Sequence, residues 1–107
     1  MNYHKINKIC NSLFRPKYKY YEKMASVKYV TSLYLNFYEK EPETIKDIIN
    51  FLEDKFIDIT IKYILNNKNE TIVKKRLQWV ILFLDYPETF KIRNMYLDYR
   101  DYYVNFK

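Results

Sequence analysis

Two stretches of this chain carry residue types whose spacing bears on chemistry. In Arg15-Pro16-Lys17-Tyr18-Lys19-Tyr20-Tyr21-Glu22-Lys23 cations alternate with flat rings. In Tyr96-Leu97-Asp98-Tyr99-Arg100-Asp101-Tyr102-Tyr103 four tyrosines and an arginine fall within eight residues. The first pattern suits a polyanion, with cations on a phosphate backbone and bases stacked on the rings. Its candidate contacts are Arg15, Lys17, Tyr18, Lys19, Tyr20, Lys23 and, further along, Lys28. The competing reading is a solvated helix start in a lysine-biased chain. The second pattern suits a protein interface, where tyrosine and arginine combine large contact area with a polar end. Its candidates are Tyr96, Tyr99, Arg100, Tyr102 and Tyr103. On a helix Tyr96, Tyr99 and Tyr103 share a face and Tyr102 lies to one side, so one core does not take all four. The competing reading places these phenols at the core edge with their hydroxyls in water.

Catalytic arrangements are poorly supported. The chain contains no glycine, which excludes phosphate-binding loops and dinucleotide fingerprints, since both need glycine for close backbone approach to phosphate. One histidine, His4, and one cysteine, Cys10, fall short of the three or four ligands of a zinc site. A hydrolytic triad would have to join His4 to Ser12, Ser26 or Ser32 and an acid, and no spacing recommends it. Glu53 or Asp54 with Asp58 offers a carboxylate pair, but the interleaved Lys55 and Lys62 read as an ion-paired exposed face. The expectation is a protein that is not an enzyme and uses no cofactor or metal.

Composition and charge narrow the setting. Lys, Asn, Ile, Tyr and Phe make up more than half of the 107 residues, the signature of an AT-rich coding genome such as that of a virus, mobile element or parasite. The 13 tyrosines therefore do not by their number imply selection for phenol chemistry. The whole net charge of +6 resides in residues 1–40, where eight cations face only Glu22 and Glu39; the remainder is balanced. The single cysteine precludes an internal disulfide and fits a reducing intracellular compartment, the cytoplasm of the host or source cell. The acid-free residues 1–21 leave mitochondrial import open, although such leaders favour Arg and Ser. The longest apolar run, Trp79 to Leu84, is far short of the roughly 20 residues that span a bilayer.

The elements that must carry these side chains are divided by Pro16, Pro42 and Pro87. Ile6, Ile9, Cys10, Leu13 and Phe14 predict a short amphipathic helix; Cys10 on its stripe reads as a core thiol. Met24, Val27, Val30, Tyr34, Phe37 and Tyr38 predict a second helix over about 17–40. A third opens at Glu41-Pro42-Glu43 and carries Ile45, Ile48, Ile49, Leu52, Phe56, Ile59 and Tyr63 on one stripe. From Phe56 to Tyr63, however, the sequence also alternates with period two, a strand template that would end this helix near Asp54. Asn66-Asn67-Lys68-Asn69 is a loop whose asparagines tolerate left-handed conformations, with Asn69 capping a fourth helix to about Asp85. Pro87-Glu88 starts a fifth, with Ile92, Met95, Tyr96, Tyr99, Tyr102, Tyr103 and Phe106 at helical spacing.

The fold class expected is all-α, a single domain over 1–107 built as a bundle or array of about five helices with a basic segment at 1–40. The alternative is an α+β fold with a short hairpin around residues 56–76. The function expected is a small non-enzymatic adaptor, inhibitor or accessory subunit working through protein contacts. The alternative is an RNA-, DNA- or ribosome-binding protein using the basic aromatic segment.

Overall fold

The computed structural model describes residues 20–85 and 87–106, with side chains at 22, 24–85 and 87–101. Among these residues there are five α-helices and no strand: α1 Tyr20–Tyr38, α2 Ile45–Asp54, α3 Phe56–Ile59, α4 Glu70–Phe83 and α5 Phe90–Phe106. The helix expected over Ile6–Phe14 lies outside the described residues. The all-α reading holds, and the hairpin at 56–76 is replaced by helix.

Local chemistry fixes the boundaries. Helix α1 ends at Glu39, whose φ of 59° places it in the left-handed region. Its N–H donates to the Leu35 carbonyl at 2.8 Å, closing the helix in the position where glycine is the usual residue. Helix α2 starts at Ile45, three residues later than the Pro42 signal suggests, because Thr44 and Asp47 form a capping box. Thr44 Oγ1 accepts from the Asp47 N–H at 3.2 Å and Asp47 Oδ2 accepts from the Thr44 N–H at 3.0 Å.

The segment that reads equally as helix or strand is helical with two irregularities. At Lys55 the backbone departs to φ −109°, ψ 26°, yet the Lys55 N–H still reaches the Phe51 carbonyl and the Ile59 N–H the Lys55 carbonyl. Helix α3 then widens into a π turn over Thr60–Ile64. Thr60 is buried and donates its hydroxyl to the Phe56 carbonyl at 2.7 Å, a back-bond that bends helices. The alternation of Ile57, Ile59, Ile61 and Tyr63 therefore spreads around a helix: Ile59 is fully buried, whereas Ile57 and Ile61 face solvent. The loop that follows has no left-handed asparagine; Glu39 is the one described residue with positive φ. Instead, Asn67 Oδ1 accepts from the Asn69 N–H, and Asn69 Oδ1 caps α4 through the Thr71 and Ile72 N–H groups.

Helix α4 lies against α1, α5 and the π turn. Its Val73, Leu77, Val80, Ile81, Leu82 and Phe83 are buried together with Val27, Val30 and Leu33 of α1 and Ile48, Phe51 and Leu52 of α2. Burying each such side chain is worth roughly 1.5–3 kcal/mol, so this cluster is the main source of stability. Ser26 lets α1 approach α4 closely and donates its hydroxyl to the Trp79 carbonyl at 2.6 Å, while the Tyr29 and Trp79 rings meet at 5.1 Å. A second aromatic group, Tyr34, Phe37, Tyr38 and Phe51, joins α1 to α2 with centroids 4.7–5.5 Å apart.

Candidate functional site

The last helix places its candidate interface residues in different environments. Tyr96 is fully buried, and its hydroxyl donates to the Leu52 carbonyl at 2.6 Å. That carbonyl belongs to the last turn of α2, whose C=O groups lack regular intrahelical partners. Tyr96 is therefore a core residue that ties α5 to α2, which corrects its assignment to an interface. Tyr99 is half-buried with its ring 5.3 Å from Phe56, which also meets Tyr96 at 4.8 Å. Arg100 is half-exposed and its Nη2 lies 3.3 Å from Asp101 Oδ1. Tyr102 and Tyr103 lie on the following turn of α5. Of the polyanion candidates, Arg15, Lys17, Tyr18 and Lys19 lie outside the described residues. Tyr20 and Lys23 start α1, and Lys28 is exposed on it.

Burial dominates the phenols. It pushes Tyr29 up to about 12, partly offset by Arg76, and raises Tyr96 well above the usual tyrosine range with a smaller contribution from Tyr29. Tyr34 is raised first by burial and then by Asp47, Tyr38 and Glu43. All three are thus neutral hydroxyls at ordinary pH. Among the described residues the buried Tyr29 hydroxyl has no hydrogen-bond partner, the reverse of Tyr96. Arg76 donates from Nη1 to the Tyr63 and Ile64 carbonyls at 3.1 and 3.2 Å, satisfying the end of the π turn. Asp85 is buried with Arg93 Nε 3.8 Å away, an ion pair too long to be a hydrogen bond.

The feature that stands out on the described surface is one turn of α3 and its π extension. Ile57 and Ile61 are each 58% exposed, the most exposed large hydrophobic residues described. Asp58, partly buried, lies within this turn, and the exposed Glu53 and Asp54 end α2 just before it, across the break at Lys55. None of these acids forms an ion pair among the described residues, so the expected paired face is absent; Lys55 instead lies 5.7 Å over the Phe37 ring. Sequence spacing did contain the signal, since the stripe from Ile45 to Tyr63 passes over Ile57 and Ile61. A period-two reading hid it by grouping them with the buried Ile59.

Among the described residues no group of His, Cys, Asp or Glu is arranged to hold a metal ion, and no helix is long and apolar enough to cross a membrane. The fold and surface define a small all-α domain with an exposed aliphatic pair beside unpaired acids. No family model, curated protein or solved structure matches this chain.

Proposed function

We propose that this chain is a small non-catalytic helical adaptor, inhibitor or accessory subunit that acts by protein contact. The observation that carries this reading is the exposure of Ile57 and Ile61, one turn apart on a helix whose opposite side is packed into the core. Leaving two isoleucines in water gives up hydrophobic burial that a partner would recover. The neutral Tyr29, Tyr34 and Tyr96, the first partly and the others fully within the core, lend support, because they serve packing and are poor bases or nucleophiles. Affinity capture from the source cell with wild type and with Ile57→Ser/Ile61→Ser tests the proposal. Loss of specific partners from a variant with an unchanged circular dichroism spectrum supports it; an identical partner set counts against it.

A second reading, contact with RNA, DNA or the ribosome, is favoured by the concentration of the +6 net charge in residues 1–40, of which Lys28 is exposed. Affinity for duplex DNA would then fall with salt at a log–log slope near −0.9 per phosphate neutralised, and Lys17→Glu/Lys19→Glu would abolish it.

A further inference from the structure

We infer that residues 56–62 form a two-register switch that hides or presents the Ile57 and Ile61 face. The inference rests on the adaptor reading for its purpose, since it makes the contact surface of that reading conditional. The π turn over Thr60–Ile64 closes with the Leu65 N–H on the Thr60 carbonyl at 2.8 Å, five residues back rather than four. It therefore holds one residue more than the same span of α-helix. A second irregularity lies just upstream at Lys55, whose φ of −109° and ψ of 26° depart from helical values. When the surplus residue passes from the π turn to Lys55, each residue between them moves into the place its predecessor now holds.

The residues suit both registers. After the slide, the outward places of Ile57 and Ile61, each 58% exposed, are taken by Asp58 and Lys62. An acid followed by a lysine at i,i+4 is the favourable order for an exposed helical surface. Ile61 enters the fully buried place of Thr60, and Ile57 enters the half-buried place of Phe56 beside the Tyr96 and Tyr99 rings. Thr60 stays inside, in the place of Ile59. Its hydroxyl donates to the Phe56 carbonyl, which travels with it, so no buried hydroxyl is stranded. Arg76 holds the Tyr63 and Ile64 carbonyls from beyond the sliding segment. Opposing this, Ile59 passes from full burial to the half-buried place of Asp58. Phe56 likewise leaves Tyr96 and Tyr99 for the place of Lys55, beside the Phe37 ring. Two isoleucines gain burial while one isoleucine and one phenylalanine lose contacts, and such offsetting terms allow two packings of one sequence to coexist. A partner that binds the aliphatic pair draws the population to the register that presents it.

The test uses the full chain, labelled at backbone amides and isoleucine methyls, and needs no partner. Relaxation-dispersion and saturation-transfer NMR should detect a second state populated at roughly 0.1–10%. Its exchange should be confined to amides 55–64 and the methyls of Ile57, Ile59 and Ile61, on the μs–ms timescale of helix register shifts. Ile61→Lys leaves the exposed place tolerable but forces an unpaired cation into a buried one after the slide, so the second state should fall ~100-fold or more. Thermal stability should be retained in that variant. Absence of a second state in wild type, or exchange unchanged by Ile61→Lys, would overturn the switch. If no second state exists and Ile57→Ser/Ile61→Ser still loses its cellular partners, the adaptor reading stands with a permanently open face. Exchange that Ile61→Lys abolishes, in a chain whose Ile57→Ser/Ile61→Ser variant keeps every partner, supports the switch and removes the adaptor reading.

Discussion

Replacing Tyr96 with phenylalanine separates a core role from a surface role. The ring is fully buried and its hydroxyl donates to the Leu52 carbonyl at 2.6 Å. Loss of a typical hydrogen bond costs roughly 0.5–1.5 kcal/mol, and a stranded buried acceptor raises that towards 1–3. About 1.5 kcal/mol is expected near pH 7, which corresponds to a fall in Tm of about 6–12 °C for a domain of this size. The pH dependence supplies an independent check. Burial holds Tyr96 protonated in the folded chain far above the value near 10 that it takes when unfolded. Its stabilising contribution is therefore complete below pH 10 and declines above it by about 1.4 kcal/mol per pH unit as the unfolded phenol ionises. Phenylalanine has no such dependence. The deficit of Tyr96→Phe should thus shrink above pH 10 and vanish near pH 11, one unit being about the size of the lost hydrogen bond. Thermal unfolding followed by circular dichroism between pH 7 and 11.5 measures both. A variant as stable as wild type at pH 7, or a deficit unchanged by alkali, would refute the placement of Tyr96 in the core.

Two further substitutions follow from backbone and burial. Glu39→Gly relieves a left-handed residue at the end of α1; set against the greater entropy of unfolded glycine, a net gain of about 0.5–1 kcal/mol is expected in denaturant unfolding. A loss of stability would contradict the helix ending described. Tyr29→Phe deletes a buried hydroxyl that has no partner among the described residues, so near pH 7 it should be neutral or stabilising by up to about 1 kcal/mol. Because the folded phenol is pushed up to about 12, its advantage over wild type should grow between pH 10 and 12, by somewhat less than 1.4 kcal/mol per unit given its partial exposure. Destabilisation at pH 7 would show that the hydroxyl is bonded after all.

Much of the architecture was legible because apolar spacing follows the 3.6-residue period where a helix has one buried side. Val73, Leu77, Val80, Ile81 and Leu84 of the fourth segment are all buried, and Asn69 caps that helix as its position suggests. Boundaries were less legible. Pro42 marks the right turn, but Thr44 and Asp47 set the first residue of α2 through mutual hydrogen bonds that composition alone does not rank. Between Phe56 and Tyr63 two periodicities coincide, and only the bend at Lys55 and the wide turn after Thr60 decide which isoleucines go inward. The same limit applies to the candidate surface. Tyr96 and Tyr99 share a helical face, but which of them reaches the core depends on where the last turn of α2 lies. Arg76 was a charge without a role until the carbonyls of Tyr63 and Ile64 were placed beside it.

Ending helices without glycine also shapes how this protein unfolds. A glycine terminator acts locally, whereas two helix ends here are closed by groups from distant sequence: Arg76 on the carbonyls of Tyr63 and Ile64, and the Tyr96 hydroxyl on that of Leu52. Thr89, only five residues on, closes the end of α4 locally through its hydroxyl on the Leu84 carbonyl. Fraying of either end closed from a distance must release a side chain anchored in another element. At these two ends opening is coupled between the elements joined, whereas α1 is closed locally by the Glu39 N–H on the Leu35 carbonyl.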